Sequence, residues 1–258
     1  MNTRARIGRN TVASALSTVG ALLLAGVATA TISDLTAFIQ RAEKMTQLNR
    51  PVRADVRVTR PGGALDAVVV FADPEKKKVF VAARSDGFRA LHALDWSAGK
   101  SVTTAAPKPA SHGADDEMGE IGLRAMDFFP AWATDYSTAF ISDESKMEKT
   151  VTIYGKERSP YSLFVVTFDK ERLVPLITKY YKERFNNLVR LRKDGDHVLV
   201  GARPRPQKIS VTDYVENSTV EYEIEWSEVE AVPADLLDDA KFATATVPWP
   251  AVTASAKP

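Results

Sequence analysis

Four groups of residues in this 258-residue chain have the types, but not the spacing, to do chemistry. Ser97-Ala98-Gly99-Lys100 matches S-x-x-K, in which a Lys one helical turn on activates a nucleophilic Ser, yet it lies in a Gly-containing stretch between expected strands, with no S-D-N or K-T-G partner. His92, His112 and His197 are far apart, and none has a second His or a carboxylate at the spacing that grips a metal. Asp115-Asp116-Glu117 lacks the D-x-D-x-D-G order of a calcium loop and reads as a solvated loop end. Asn217-Ser218-Thr219 reads as a hairpin turn, although it also has the form of a glycosylation acceptor. No catalytic set and no metal or cofactor site is expected.

Basic runs occur at Lys76 to Lys78, Arg190 to Lys193 and Arg203 to Lys208. They could bind a polyanion, but the chain has 34 basic and 33 acidic side chains. Solvated strand edges, guarded by charge against sheet-to-sheet pairing, are the expected reading, with no nucleic-acid partner. The absence of cysteine excludes disulfides, thiolate zinc sites and cysteine nucleophiles.

The elements that must position any site begin after a leader. Arg4, Arg6 and Arg9 precede the apolar stretch VASALSTVGALLLAGVATA, which closes on Ala28-Thr29-Ala30. This is the three-part pattern of a secretory signal peptide over residues 1–30, cleaved near Ala30; an uncleaved anchor is the competing reading. Cleavage would leave 31 basic and 33 acidic side chains, a balance of −2.

Next, Ile32, Leu35, Phe38, Ile39, Ala42 and Met45 recur at helical spacing, with Thr31 and Asp34 suited to cap the start and Pro51 to end it. The pattern then switches to period two. VRADVRVTR, DAVVVFA, KVFVAAR and FRALHAL form one expected meander, with turns at Pro61-Gly62-Gly63, Asp73-Pro74 and Asp86-Gly87. A second runs from MEKTVTIYG to STVEYEIEW, with Asp194-Gly195 expected as a hairpin turn. Between them, residues 105–120 read as a surface loop, followed by a short helical segment broken by Pro130. Residues 243–258 read as a disordered tail. The sum is a mainly β (α+β) domain over residues 31–242, a curved antiparallel half-barrel of about ten to twelve strands with helices covering its concave side.

Two strands are apolar on both sides. In SLFVVTF, Leu163 and Val165 face opposite to Phe164, Val166 and Phe168, and DAVVVFA behaves alike. Either protein packs both faces, or the sheet curls and one face lines a cavity for something greasy. An acyl chain of about fourteen to sixteen carbons buried there would gain about 11–13 kcal/mol before the cost of association.

With YSLFVVTFDKERLVPLITKYY, and with Pro206, Thr219 and Phe242 in the segment that follows, this order of elements resembles the outer-membrane lipoprotein-sorting, LolA-like family. The apolar strand ending in Asp169, the charged turn and Pro175 opening the next strand carry the resemblance. Lys182 to Asn187 replaces a Gly-containing turn, and the C-terminal tail is extra. The resemblance implies a non-enzymatic periplasmic carrier that holds lipoprotein acyl chains or another lipid for transfer toward the outer membrane. Its partners would be an inner-membrane exporter and an outer-membrane acceptor. Phe128, Phe129, Trp132, Phe164, Val166, Phe168, Tyr222 and Trp226 are the expected lining, with core packing the alternative for each. An envelope sensor that binds a protein partner on the same fold is the competing function.

Overall fold

A computed structural model describes residues 34–84, 87–93, 102–104, 110–112, 136–155, 161–183 and 185–250. Among the described residues, thirteen strands form one antiparallel sheet. Eleven have five residues or more: β1 Val52–Arg60, β2 Gly63–Asp73, β3 Lys78–Ala83, β4 Arg89–Ala93, β7 Tyr136–Glu144, β8 Glu148–Gly155, β9 Leu163–Asp169, β10 Val174–Tyr181, β11 Leu188–Val200, β12 Arg203–Asp213 and β13 Ser218–Glu228. The other two, β5 Val102–Thr104 and β6 Ala110–His112, have three residues each. The sheet is open, with β6 and β7 at its edges. Each meander, β1–β6 and β7–β13, pairs in sequence order, and the β1–β13 ladder joins them.

Three hairpins share one turn. Asp73, Asp169 and Asp213 each end a strand, and in each the Oδ1 accepts from the backbone N–H groups two and three residues on. The residue before the next strand is left-handed in all three, namely Lys77, Leu173 and Asn217. The carboxylate thereby satisfies two turn donors that no ladder could reach. Pro175 lies where β10 shifts register against β9, a position at which its missing N–H leaves no gap in the ladder.

The structure differs from expectation in several places. Asp194-Gly195 is not a turn: Gly195 pairs with Lys208 inside β11, and the chain reverses at Gly201-Ala202, both with positive φ as a two-residue type I′ turn requires. Asp194 instead gives its carboxylate to Arg192. β7 occupies residues that carried no strand expectation, and β6 lies inside the expected 105–120 loop. The expected tail begins with order, since Ala245 and Val247 are buried on the sheet. Residues 251–258, the leader and the aromatic segment with Phe128, Phe129 and Trp132 lie outside the described residues.

Helix α1 spans residues 34–46 and buries Leu35, Phe38, Ile39 and Ala42, the expected apolar stripe. Among the described residues no helix is long and apolar enough to cross a membrane. After β13, residues 229–250 form an irregular strap that includes a 3-10 helix, Ala234–Leu237. The strap packs Val232, Leu236, Leu237 and Phe242 against Val69, Phe71, Phe80 and Leu91. Lys78 donates to the carbonyl of Leu237, Arg89 to those of Phe242 and Ala245, and Arg84 to that of Pro250. The strap accounts for the two-sided apolar pattern of β2: Val68 and Val70 face one cluster while Val69 and Phe71 face the strap.

Candidate functional site

Cross-strand pairing places one row of side chains on the face that carries α1. Val151 pairs with Val166, Val166 with Thr178, Thr178 with Arg192, Arg192 with Val211 and Val211 with Val220. Directly opposed residues share a face, so this face is continuous from β8 to β13 and on into β1 and β2. It holds two apolar clusters.

The first lies under α1. Phe164, Val166 and Phe168 of β9 join Val151 and Ile153 of β8, Tyr180 and Val189 against Leu35, Phe38, Ile39 and Ala42. Phe38 meets Phe168 edge to face with ring centroids 5.5 Å apart, and Tyr161, Phe164 and Tyr180 form a mutually tilted trio. Lys149 sits 4.8 Å above the Phe38 ring centroid. In this arrangement Phe164, Val166 and Phe168 contact protein.

The second cluster is built almost wholly of strands. Val52, Ala54, Val56 and Val58 of β1, Val68, Val70 and Ala72 of β2, and Val79 and Val81 of β3 meet Ile209, Val211, Tyr222 and Ile224, with Leu48 and Trp226 at its margin. Trp226 donates its indole N–H to the carbonyl of Pro206 at 2.8 Å, which leaves the ring as an apolar wall. The structure thus divides the expected lining residues that it describes between two clusters, with three in the first and Tyr222 and Trp226 in the second.

Between the clusters runs a buried polar seam that was not anticipated. Arg190 and Arg192 of β11, Arg205 and Asp213 of β12, and Glu43 and Thr46 of α1 are all buried. The basic runs are therefore not uniformly solvated edges. A strand sends alternate residues inward, so Arg190 and Arg192 enter the interior while Lys193 stays in water. Arg192 grips Asp194 through Nε and Nη2 at 2.6 and 3.1 Å. Arg205 donates from Nη1 to the carbonyl of Thr46, one of the last carbonyls of α1, which has no partner within the helix. Burial, with Arg203 nearby, pulls the Arg205 pKa down to about 10, so the side chain stays charged at neutral pH.

A cavity of about 20 Å³ opens in the seam, lined by Thr46, Arg192, Asp194, His197 and Arg205 and collared by Pro175, Pro204 and Pro206. Burial holds the His197 imidazole below its ordinary pKa. His197 is therefore brought into a polar cluster, while the side chains of His92 and His112 are outside the described set. Among the described residues no three His, Cys, Asp or Glu side chains converge to hold a metal. The sequence signal for the seam was present in the alternation Arg190-x-Arg192-x-Asp194 on a strand whose neighbours are apolar.

Neither a protein-family model nor a curated relative matches the sequence. Solved structures match the fold. A putative outer-membrane lipoprotein-sorting protein domain from Vibrio parahaemolyticus aligns with a TM-score of 0.67 at 10% identity, covering 81% of this chain and 97% of that one. A DUF1329 family protein from Desulfovibrio piger aligns at 0.64 and 11% identity, covering 81% and 98%. A LolA superfamily protein from Nitrosomonas europaea aligns at 0.58 and 13% identity, covering 79% and 97%. The chain has the fold of the lipoprotein-sorting proteins, at sequence identities that establish the fold alone.

Proposed function

We propose that this chain, built on the fold of lipoprotein-sorting proteins, carries lipid acyl chains through the periplasm after export and removal of residues 1–30. The observation that carries the reading is the apolar face from β8 to β3, two clusters on either side of the polar seam, over which α1 is the one regular helix among the described residues. An amphipathic helix satisfies its own backbone hydrogen bonds, so moving it off a sheet exposes side chains and few orphaned polar groups. An acyl chain that replaced α1 against Phe164, Val166 and Phe168, or ran beside Tyr222 and Trp226, would restore the same burial. The aromatic segment with Phe128, Phe129 and Trp132 belongs to the proposed lining on sequence grounds.

The exchange is close to neutral by design. Lipid and helix compete for one surface, so the cargo is shielded from water yet released where a membrane or an acceptor offers equal burial. Lipoproteins or other lipids would arrive from an inner-membrane donor and leave toward the outer membrane, with no reaction catalysed.

The test is native mass spectrometry with lipid extraction on protein purified from the envelope. Stoichiometric lipid is the expected result. Protein that is lipid-free as isolated and fails to bind a fluorescent fatty acid would overturn the carrier reading. Recovery of a membrane regulator without lipid would replace it with the sensor function.

A further inference from the structure

Two arginines of the seam use the same edge of the guanidinium differently. Arg192 directs Nε and Nη2 at the two carboxylate oxygens of Asp194, the two-point geometry that matches a planar oxyanion. Arg205 spends Nη1 on the Thr46 carbonyl, and its Nε and Nη2 are buried without an acceptor among the described residues. The side chain belongs to a residue only 3% exposed, where an unsatisfied charged donor is expensive. His197 Nε2 is buried and equally without a partner.

Both residues line the same cavity, and its composition selects a ligand. Pro175, Pro204 and Pro206 contribute no backbone N–H, and Arg205 and His197 bring side-chain nitrogens that lack a partner among the described residues. The carboxylate of Asp194 is already committed to Arg192, which leaves Arg205 without a carboxylate partner among the described residues. A volume of about 20 Å³ suits one or two oxygen atoms, since about 10–15 Å³ holds one water. That is the size of a carboxylate edge and smaller than a phosphate. Pro175 is also the cross-strand partner of Phe168, which puts the cavity beside the apolar cluster under α1.

We propose that the Nε–Nη2 edge of Arg205, with His197 Nε2, binds the carboxylate of an organic acid between the end of α1 and strands β10–β12. The assignment of that acid as a long-chain fatty acid, its tail continuing into the apolar cluster, rests on the carrier reading; a short free acid presents the same head.

Palmitate, methyl palmitate and butyrate titrated into the purified protein separate these cases, with affinity and the Arg205 Nε–H resonance as readouts. For a fatty acid, palmitate binds about tenfold or more tightly than its ester, because a charged hydrogen-bonded head is lost on esterification. Palmitate also shifts the Arg205 Nε–H signal, and Arg205→Lys, which keeps the charge but not the fork, brings acid and ester within about threefold of each other. A shift with butyrate, without preference for palmitate over its ester, supports the site with a short acid as its ligand. Equal binding of palmitate and ester with no shift from either acid overturns the site and leaves the carrier reading standing. If neither palmitate nor ester binds, the carrier reading fails and butyrate alone decides the site: a shift supports it and no shift overturns it. The comparison of acid with ester uses the unaltered protein, so it holds even if Arg205→Lys does not fold.

Discussion

The two coverings of the sheet bury apolar surface by opposite means. On β8–β11, α1 contributes side chains and takes a hydrogen bond from Arg205 at the carbonyl of Thr46. On β2–β4, the strap is irregular, and its carbonyls at Leu237, Phe242, Ala245 and Pro250 take hydrogen bonds from Lys78, Arg89 and Arg84. A helix carries its backbone hydrogen bonds with it, whereas the strap supplements the hydrogen bonds of its own turns with donors from the sheet side. Separating the first covering would expose few backbone groups, whereas separating the second would strip four carbonyls of their cationic donors. Under the proposed carrier function, exchange would fall on the helix side and permanent structure on the strap side.

The most severe way to break the contrast is to end the chain after Glu230. Removal of Leu236, Leu237 and Phe242 should abolish cooperative unfolding in urea, because Val69, Phe71, Phe80 and Leu91 would face water. A truncated chain that still unfolds cooperatively would show that the strap is an accessory. On the helix side, Phe168→Ala should cost about 3–5 kcal/mol by chemical denaturation, the range for a fully buried Phe. Added fatty acid should recover part of that loss if lipid occupies the same surface.

Arg89→Met retains the stem but loses both carbonyl contacts, and should cost about 2 kcal/mol with faster exchange of the strap amides. Asp169→Ala removes the acceptor of two turn N–H groups, and about 1 kcal/mol is expected in the same assay. The smallest effect concerns pH. The His197 pKa is lowered by burial, so protonation favours the unfolded chain, and stability should decline as pH falls from the unfolded value of about 6.5 toward the lower folded one. His197→Gln should flatten that decline in melts between about pH 5 and 7. An unchanged slope would place the acid sensitivity elsewhere in the seam.

Much of the sheet was legible because its signals are local. Period-two runs located β1–β4 and the body of the second meander, Asp73 and Asp169 marked two turns, and the stripe from Leu35 to Ala42 located α1. The failures arose where strand pairing and side-chain partners outbid a local turn preference. Asp194-Gly195 has the composition of a hairpin, but the claim of Arg192 on the Asp194 carboxylate and the pairing of Gly195 with Lys208 hold the chain straight. The strap has no periodicity to read, since its order comes from donors on β3 and β4. The seam was hidden because a basic run on an exposed strand and one with every second arginine buried have the same composition. The site was legible as apolar rows, while the point at which polar groups interrupt them required the register.

The order of the strands sets a timetable. Hairpins such as β2–β3 and β9–β10 close over a few residues and can form within microseconds. The ladder between β1 and β13 joins Val52 to Glu228, so the first strand made waits for the last. Until residues 218–228 emerge from the ribosome or a translocation channel, β1 offers one bare edge to any other extended chain. A single late pairing in the middle of the sheet thus decides when the two meanders become one protein, and a chain stalled before it is a candidate for aggregation or proteolysis.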